Sequence, residues 1–209
     1  MITLHGCRGC GSAAIEAALL LTGVPYRTEF WDWEDKAGWE RLARINPQRL
    51  VPTLELPGGA VLAESVAILL WLCEAPGGVR FAPPRSSPAY AQFLRWMVFL
   101  SGSVYTPIGI GDFPDRWIGA SADPAPLVAG VARRIEDAWR TLETALARPG
   151  APGPYLLGSS LSFLDVFAAQ LAQWKPGPEW IAAHCPKIAQ ALAATIAEPS
   201  VARVWRENF

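Results

Sequence analysis

A proline at the entrance of a short predicted strand is the feature that most restricts how this chain can fold. Pro52 follows Val51 and precedes the run Thr53-Leu54-Glu55-Leu56. Because proline has no N–H to donate, a sheet accepts it at a strand entrance and not in a central position. An X–Pro bond also loses most of its preference for the trans form, so a cis bond is accessible here. We expect a bulge that leaves the backbone N–H and C=O of Val51 available to an extended peptide.

A helix start follows closely along the chain. Glu64-Ser65 stands ten residues beyond Leu54 and begins an apolar helical run, 66–73. The turn Pro57-Gly58-Gly59 and a returning strand at 60–62 lie between the two features. A helix N-terminus presents unpaired N–H groups and partial positive charge, which suit a carboxylate. Together the strand entrance and the helix start predict a pocket for a small peptide-like anion.

The first 74 residues alternate strand and helix patterns in the order βαβαββα. Helical spacing begins at Ser12 and ends at Gly23, with Pro25 just beyond. The strand patterns on either side predict a right-handed parallel crossover. The predicted elements are strands at 2–5, 26–31, 53–56 and 60–62, and helices at 12–22, 39–43 and 66–73.

Strand patterns vanish after a segment rich in Pro, Gly and Ser, which we interpret as a linker. The segments 105–107 and 109–111 are predicted to interrupt a long helix, and Ser162 with Asp165 predicts a capping box. We therefore expect a first domain at 1–76, a linker at 77–86 and an all-helical substrate domain at 87–209. The helical patterns cover 89–104, 123–146, 166–171, 187–196 and 201–206, with a loop at 148–154.

The runs 46–54 and 62–68 resemble the thioredoxin-like half of cytosolic glutathione S-transferases. The resemblance extends over essentially the whole chain and has a bacterial character. It implies an α/β thioredoxin-like N-terminal domain followed by an all-α helical bundle. It also implies glutathione as a co-substrate and a homodimer.

The resemblance assigns roles to five residues. It implies that Pro52 is cis and that the backbone of Val51 pairs with the cysteinyl part of glutathione. Glu64 and Ser65 would hold the γ-glutamyl end. The family places contacts to the glycine end near residues 32–36, so Lys36 is a further candidate.

The turn after the first strand is expected to carry the chemistry. Attack by glutathione needs an ionised thiol, and free thiols have a pKa near 8.5, so the protein must stabilise the thiolate. In the serine-type classes the acting residue follows a Pro-Gly pair, and Arg8-Gly9-Cys10 matches that pattern with Arg8 in place of the proline. Cys10 is therefore the matching residue, whereas the bacterial cysteine-type class would place the acting cysteine at Gly11. Ser12 either donates to the thiolate or caps the helix, and the cap is the favoured interpretation.

The same turn supports a rival chemistry. Cys7 and Cys10 form a C-x-x-C pair at a predicted strand-to-helix junction. In such a pair Cys7 would be the attacking thiolate and Cys10 would resolve the mixed disulfide, and Arg8 would help to hold the thiolate. A glutathione-dependent thiol-disulfide oxidoreductase is therefore one alternative. Another is a non-catalytic interaction protein that retains the transferase fold, because Leu50 replaces a polar residue often found at that position.

The sequence thus predicts a glutathione S-transferase that promotes thiolate attack on a small apolar electrophile. Trp96, Phe99 and Tyr105 are the predicted contacts of that electrophile. Cys73 and Cys185 are expected to be buried and unreactive. With only two histidines in the chain and no paired ligand spacing, we expect no metal site.

Charge and hydropathy narrow the partners and the location. A formal net charge of −1 in 209 residues argues against nucleic acid and anionic membranes as partners. We find no signal-peptide pattern, and no apolar run approaches the roughly 20 residues that span a bilayer. The cytoplasm is the expected location.

Overall fold

The computed structural model describes residues 1–119, 121–146 and 153–209, which form two compact units. The first unit comprises Met1–Ala82 together with Ile196–Phe209, and the second comprises Pro83–Thr195. The predicted loop at 148–154 lies largely outside the described residues. The assignment of a glutathione-binding domain at 1–76, a linker at 77–86 and a substrate domain at 87–209 stays a prediction. No helix in the described ranges is long and apolar enough to cross a membrane.

A four-stranded sheet with the order β2-β1-β3-β4 forms the centre of the first unit. Strand β1 runs parallel to β2 and antiparallel to β3, and β3 runs antiparallel to β4. All five residues of β1 are buried, so this strand is central to the core. The strands are β1 (Ile2–Gly6), β2 (Tyr26–Phe30), β3 (Thr53–Glu55) and β4 (Val61–Ala63).

Helices complete the first unit and form the second. The described helices are α1 (Ser12–Thr22), α2 (Lys36–Ile45), α3 (Ser65–Cys73), α4 (Pro88–Leu100), α5 (Thr106–Asp112), α6 (Asp115–Ile118), α7 (Ala125–Leu146), α8 (Phe163–Trp174), α9 (Pro178–His184), α10 (Pro186–Ala197) and α11 (Pro199–Asn208). The order βαβαββα through α3 confirms the predicted thioredoxin-like arrangement, and the helices that follow confirm the helical second half. The short helices α6 and α9 were not predicted.

Helix α1 shows how the local sequence sets an element boundary. Its small and apolar residues are buried along most of its length, which fits a helix packed on the sheet. Gly23 ends it in the left-handed conformation with φ of 71°, and its N–H donates to Leu19 and Leu20 carbonyl oxygens. In the first unit α11 packs against α1.

The predicted interruption at 105–111 is wrong. A π-helical turn at Ser101–Tyr105 joins α4 to α5, so the chain stays helical through the segment. Pro107 stands in the first turn of α5, where a helix makes no use of the N–H that proline lacks. The wider π-helical turn absorbs the change of register between the two helices.

The predicted capping box at the start of α8 is present. The Asp165 carboxylate accepts hydrogen bonds from the Ser162 N–H at 2.8 Å and hydroxyl at 2.6 Å, and from the Leu156 N–H at 2.7 Å. Burial raises the pKa of Asp165 above its ordinary value, although these hydrogen bonds favour the charged form. The box therefore joins the loop before α8 to its first turn and serves folding.

Candidate functional site

The predicted site segments of the first unit adjoin the side of the sheet at which β1, β2 and β4 end and β3 begins, which we call the sheet edge. Gly6 pairs with Phe30 in the parallel ladder, so the C-terminal ends of β1 and β2 lie together. Thr53, the first residue of β3, has antiparallel partners in His5 near the end of β1 and in Ala63 at the end of β4. The segments that adjoin this edge are the turn 7–11, the loop 31–35, Val51-Pro52 and Glu64-Ser65.

The loop that enters β3 is held by side chains on both of its flanks. Buried Asn46 donates through Nδ2 to Thr53 Oγ1 at 2.9 Å, and the Thr53 hydroxyl donates to the Leu50 carbonyl at 2.8 Å. Neither bond uses the backbone of Val51. The Val51–Pro52 bond is cis, as the resemblance implies. Asn46 was not singled out from the sequence, because its role appears only once α2 and β3 are side by side.

Glu64 and Ser65 stand at the N-terminus of α3. Glu64 is exposed and has φ of 68° and ψ of 110°, a backbone conformation that costs about 1–3 kcal/mol for a residue with a side chain. Ser65 is 6% exposed, and its hydroxyl has no hydrogen-bond partner among the described residues. A buried hydroxyl without a partner costs about 1–3 kcal/mol. Strain and an unpaired buried donor together indicate a position shaped for a polar ligand.

Cys7 and Cys10 are paired as a disulfide in the turn between β1 and α1. Their Cα atoms lie 5.8 Å apart. Cys7 is 1% exposed, whereas Cys10 is half-buried and stands one residue before Gly11, which precedes α1. Accessibility therefore favours Cys10 as the sulfur that meets a partner, which reverses the roles expected of a C-x-x-C pair.

The expectation that Ser12 caps α1 is wrong. Gly11 occupies the cap position with no side-chain hydrogen bond, and Ser12 is the first helical residue. The Ser12 hydroxyl is buried and lies 3.7 Å from Cys10 Sγ. A Cβ at position 6 would clash with this hydroxyl, so Gly6 is needed for the approach. The hydroxyl thus lies near Cys10 Sγ, and the donation of Ser12 to a thiolate stays a prediction.

The end of α11 contacts the same turn. The Gly9 N–H donates to Asn208 Oδ1 at 3.0 Å. Arg8 Nη1 lies 3.0 Å from Glu207 Oε2 and 3.5 Å from Glu16 Oε2. Arg8 was expected to help hold a thiolate, but its positive charge also faces two carboxylates. The contacts with Glu207 and Asn208 join residues about 200 positions apart, and no local sequence pattern signals them.

Glu16 is the buried carboxylate of this group. Burial raises its pKa above the ordinary value of 4.5, while the Arg8 charge lowers it. Tyr26 lies in the same environment, and burial, followed by the Glu16 charge, raises its pKa to about 12. Glu16 and Tyr26 therefore both interact electrostatically with Arg8 of the turn.

Lys36 is the first residue of α2 and is exposed. Asp35 caps that helix by accepting a hydrogen bond from the Ala37 N–H at 2.9 Å. Before it, Trp31 is buried and its ring meets Trp39 edge-on with centroids 5.5 Å apart. The structure thus places Lys36 in the first turn of α2, after the loop that follows β2, and its contact with a ligand stays a prediction.

The three predicted electrophile contacts all lie in the second unit. Trp96 is buried and meets Phe99 edge-on, with ring centroids 5.2 Å apart. Tyr105 is half-buried at the end of the π-helical turn, with its ring centroid 5.4 Å from that of Trp174. The structure brings Trp96 and Phe99 into contact, and the role of all three residues in substrate binding stays a prediction.

The remaining cysteines and histidines have structural surroundings. Burial raises the pKa of Cys73 to about 12 and that of Cys185 to about 11, so neither is ionised near neutral pH. His5 lies 3.2 Å from Glu55 Oε2 on the sheet. In the described part of the chain, no group of three His, Cys, Asp or Glu side chains could hold a metal ion.

Comparisons with known proteins agree with this architecture. Residues 12–75 match the family model of the glutathione S-transferase N-terminal domain. An uncharacterized GST-like protein of Escherichia coli, YncG, is 29% identical over 100% of this chain and 98% of its own length. The glutathione S-transferase-like protein OpS6 of Beauveria bassiana is 28% identical over 90% of this chain and 88% of its own length.

A solved structure extends the likeness to three dimensions. A glutathione transferase homologue from Sulfitobacter, crystallised with bound glutathione, has a TM-score of 0.85 and 25% identity. The match covers 99% of this chain and 97% of that protein. Over its full length the chain is thus similar to glutathione S-transferases in sequence and fold, and residues 12–75 match the N-terminal domain of that family.

Proposed function

We propose that the protein binds glutathione at the sheet edge of its first unit and promotes attack of the glutathione thiolate on an apolar electrophile. The observation that carries this proposal is the buried, unpaired hydroxyl of Ser65 at the N-terminus of α3. Together with the N–H groups of the first turn, it offers donors for the γ-glutamyl carboxylate. The Glu64 carboxylate is the partner for the γ-glutamyl ammonium group.

The cysteinyl and glycine parts of glutathione lie along the sheet edge. The backbone of Val51 beside cis-Pro52 pairs with the cysteinyl residue as an added strand would. Lys36 is the contact for the glycine end. The sulfur then lies near Cys10 and Ser12, where the Ser12 hydroxyl donates to the thiolate. Trp96, Phe99 and Tyr105 of the second unit are the proposed contacts of the electrophile.

Calorimetry with glutathione tests the proposal through Ser65→Ala. Loss of a hydrogen bond to a charged group costs about 1.5–3 kcal/mol, so we expect the dissociation constant to rise roughly 10- to 100-fold. Because the hydroxyl has no partner within the described chain, its removal leaves the free energy of unfolding unchanged or higher.

Ser87→Ala is the matched control, since Ser87 also stands at a helix start. Its hydroxyl accepts a hydrogen bond from the Ala89 N–H at 3.2 Å, so this variant loses about 1 kcal/mol of stability and keeps glutathione affinity. No binding of glutathione to the wild-type protein at millimolar concentration rejects the proposal. Binding without turnover of any electrophile supports the non-catalytic alternative.

Thiol-disulfide exchange is the second candidate, favoured by the pairing of Cys7 with Cys10. The Cys10 thiolate attacks a glutathione disulfide, forms a mixed disulfide and releases one glutathione thiolate. The Cys7 thiolate then attacks Cys10 Sγ and releases the second glutathione. The protein dithiol is oxidised by two electrons, and its two protons pass to the two glutathione molecules.

Single Cys→Ser variants separate the two candidates. For exchange, Cys10→Ser abolishes reduction of a glutathione mixed disulfide, and Cys7→Ser stops the reaction at the mixed-disulfide stage, seen by mass spectrometry as a glutathione adduct. For conjugation, Cys10→Ser still conjugates a chloro-nitro aromatic, because a hydroxyl can also donate to the thiolate. Cys185→Ser is the control, because that buried thiol lies outside the turn.

We further propose a homodimer and a cytoplasmic location. The similarity to glutathione S-transferases supports the dimer, and light scattering on the purified protein measures it. A monomer at all concentrations tested would weaken the transferase proposal, since a partner subunit contributes to the glutathione site in the family.

A further inference from the structure

The C-terminal end of α11 contacts the Cys7–Cys10 turn through charge and through a backbone hydrogen bond. Glu207 lies 3.0 Å from Arg8, and Asn208 accepts from the Gly9 N–H at 3.0 Å. Both Arg8 and Gly9 stand between the two cysteines in the chain. Helix α11 therefore contacts a cation and a backbone N–H donor of the turn that carries both cysteines.

Without these contacts, the Arg8 charge and the Gly9 N–H would stabilise the reduced cysteine pair with an ionised thiol. A neighbouring arginine and free backbone N–H groups lower the pKa of a cysteine thiol. A stabilised reduced form makes a dithiol–disulfide couple more oxidising. Because Glu207 pairs with Arg8 and Asn208 accepts from the Gly9 N–H, these two groups stabilise a thiolate less than they would without α11.

We propose that Glu207 and Asn208 are positioning residues that keep the Cys7–Cys10 couple reducing. The inference rests on the proposed thiol-disulfide exchange at the same turn. The charged groups that face Arg8 are Glu16, Glu207 and, through Glu207, Arg203, whose Nε lies 3.9 Å from Glu207 Oε1. These two cations and two carboxylates balance, so removal of Glu207 leaves this group, which includes Arg8 of the cysteine turn, with a net positive charge.

The proposal predicts the sign of the change in reduction potential for each variant. Glu207→Gln removes one of the two carboxylates that face Arg8 and raises the potential. Asn208→Leu removes the Asn208 acceptor of the Gly9 N–H and also raises it. Asn208→Asp keeps an acceptor for that N–H and adds negative charge, so it lowers the potential. Arg8→Gln removes the positive charge and lowers it too.

The experiment equilibrates the full-length protein with mixtures of reduced and oxidised glutathione and counts free thiols by alkylation and mass spectrometry. Arg8 and Glu207 are about half exposed, so solvent screens their interaction. We expect Glu207→Gln and Asn208→Leu each to shift the equilibrium constant three- to tenfold, which is about 15 to 30 mV for a two-electron couple. Cys73 and Cys185 are buried and give a constant background.

Glu29→Gln is the matched control, because Glu29 is an exposed glutamate of the same unit that pairs with Arg27 at 3.8 Å. We expect its potential to equal that of the wild type. A merely structural role would move Asn208→Leu and Asn208→Asp in the same direction, and that result overturns the inference. Equal potentials in all variants overturn it as well and leave thiol exchange intact. Failure of the wild-type pair to form a disulfide at any glutathione ratio rejects thiol exchange and the inference together.

Discussion

The sheet edge and the thiol turn lie in the same unit, but different parts of the chain hold them. Val51-Pro52 and Glu64-Ser65 are supported by Asn46, Thr53 and the ladder of β3 and β4, all within about 20 residues. The Cys7–Cys10 turn is supported by Glu207 and Asn208, about 200 residues away. The predicted binding segments are thus held by neighbouring parts of the chain together with the pairing of β3 to β1, whereas the cysteine turn is contacted by a helix from the far end of the chain.

This difference gives the two regions separate sensitivities. Changes near residues 46–65 should alter glutathione affinity and leave the reduction potential of the cysteine pair unchanged. Changes in α11 should do the reverse.

Trp205→Ala should produce the largest change. Trp205 is a 5% exposed residue of α11, and deletion of so large a buried side chain costs about 3–5 kcal/mol of unfolding free energy. The looser helix should also raise the reduction potential of the cysteine pair, while the folded protein keeps its glutathione affinity. Urea unfolding, thiol equilibration and calorimetry measure the three quantities.

Trp117→Ala is the control, since Trp117 is 61% exposed and a surface substitution changes stability by only about 0.5 kcal/mol. A large loss of glutathione affinity in the folded Trp205→Ala protein would show that the two regions are not separate.

Asn46→Ala should have an intermediate effect on the other region. It removes the hydrogen bond to buried Thr53 and should lower the free energy of unfolding by about 1–3 kcal/mol. Because the loop that carries Val51 loses its support, glutathione should bind several-fold more weakly. The reduction potential should not move.

Gln48→Ala tests the same loop without this bond, since the Gln48 side chain is exposed and only its backbone N–H bonds to Asn46. Equal glutathione affinity in the Asn46 and Gln48 variants would contradict the proposed support of Val51.

Glu16→Gln should show the smallest effect, and one that depends on pH. Burial raises the pKa of Glu16 in the folded protein above its ordinary value of 4.5. A carboxyl with a raised folded pKa stabilises the fold fully below its unfolded pKa and loses that contribution as pH rises through the folded pKa. Since glutamine does not ionise, the variant should gain stability relative to the wild type as pH rises above about 4.5.

Urea midpoints at about pH 4 and about pH 7 measure this change, with Glu29→Gln as the exposed control. A variant that loses stability relative to the wild type between those two values would show that the Arg8 charge outweighs burial.

Short-range patterns predicted most elements well. Gly23, the pair Ser162 and Asp165, and the strand entrance at Pro52 each mark a boundary by their own conformational or hydrogen-bonding preference. The helix through 105–111 was missed, because proline and glycine there read as breakers. Proline breaks a helix only beyond its first turn. Because the π-helical turn precedes α5, Pro107 stands in the first turn of α5.

The candidate site was predictable to a similar extent. Val51, Pro52, Glu64 and Ser65 were found because their spacing along the chain is itself the signal, and their binding roles stay predictions. The cap assigned to Ser12 was wrong, since Gly11 took that position and the hydroxyl turned toward sulfur. The position of the Ser12 hydroxyl depends on where Gly6 and Cys10 lie in space, which residue spacing along the chain does not predict.

The alternation of strands and helices, the strand entrance at Pro52 and the start of α3 follow from local sequence, because periodicity, proline and helix termini act over a few residues. Three features depend on tertiary packing: the sheet brings the site segments together, Ser65 is buried without a partner among the described residues, and Glu207 and Asn208 contact the cysteine turn. The contacts of Glu207 and Asn208 with the turn exist only after α11 has packed against α1.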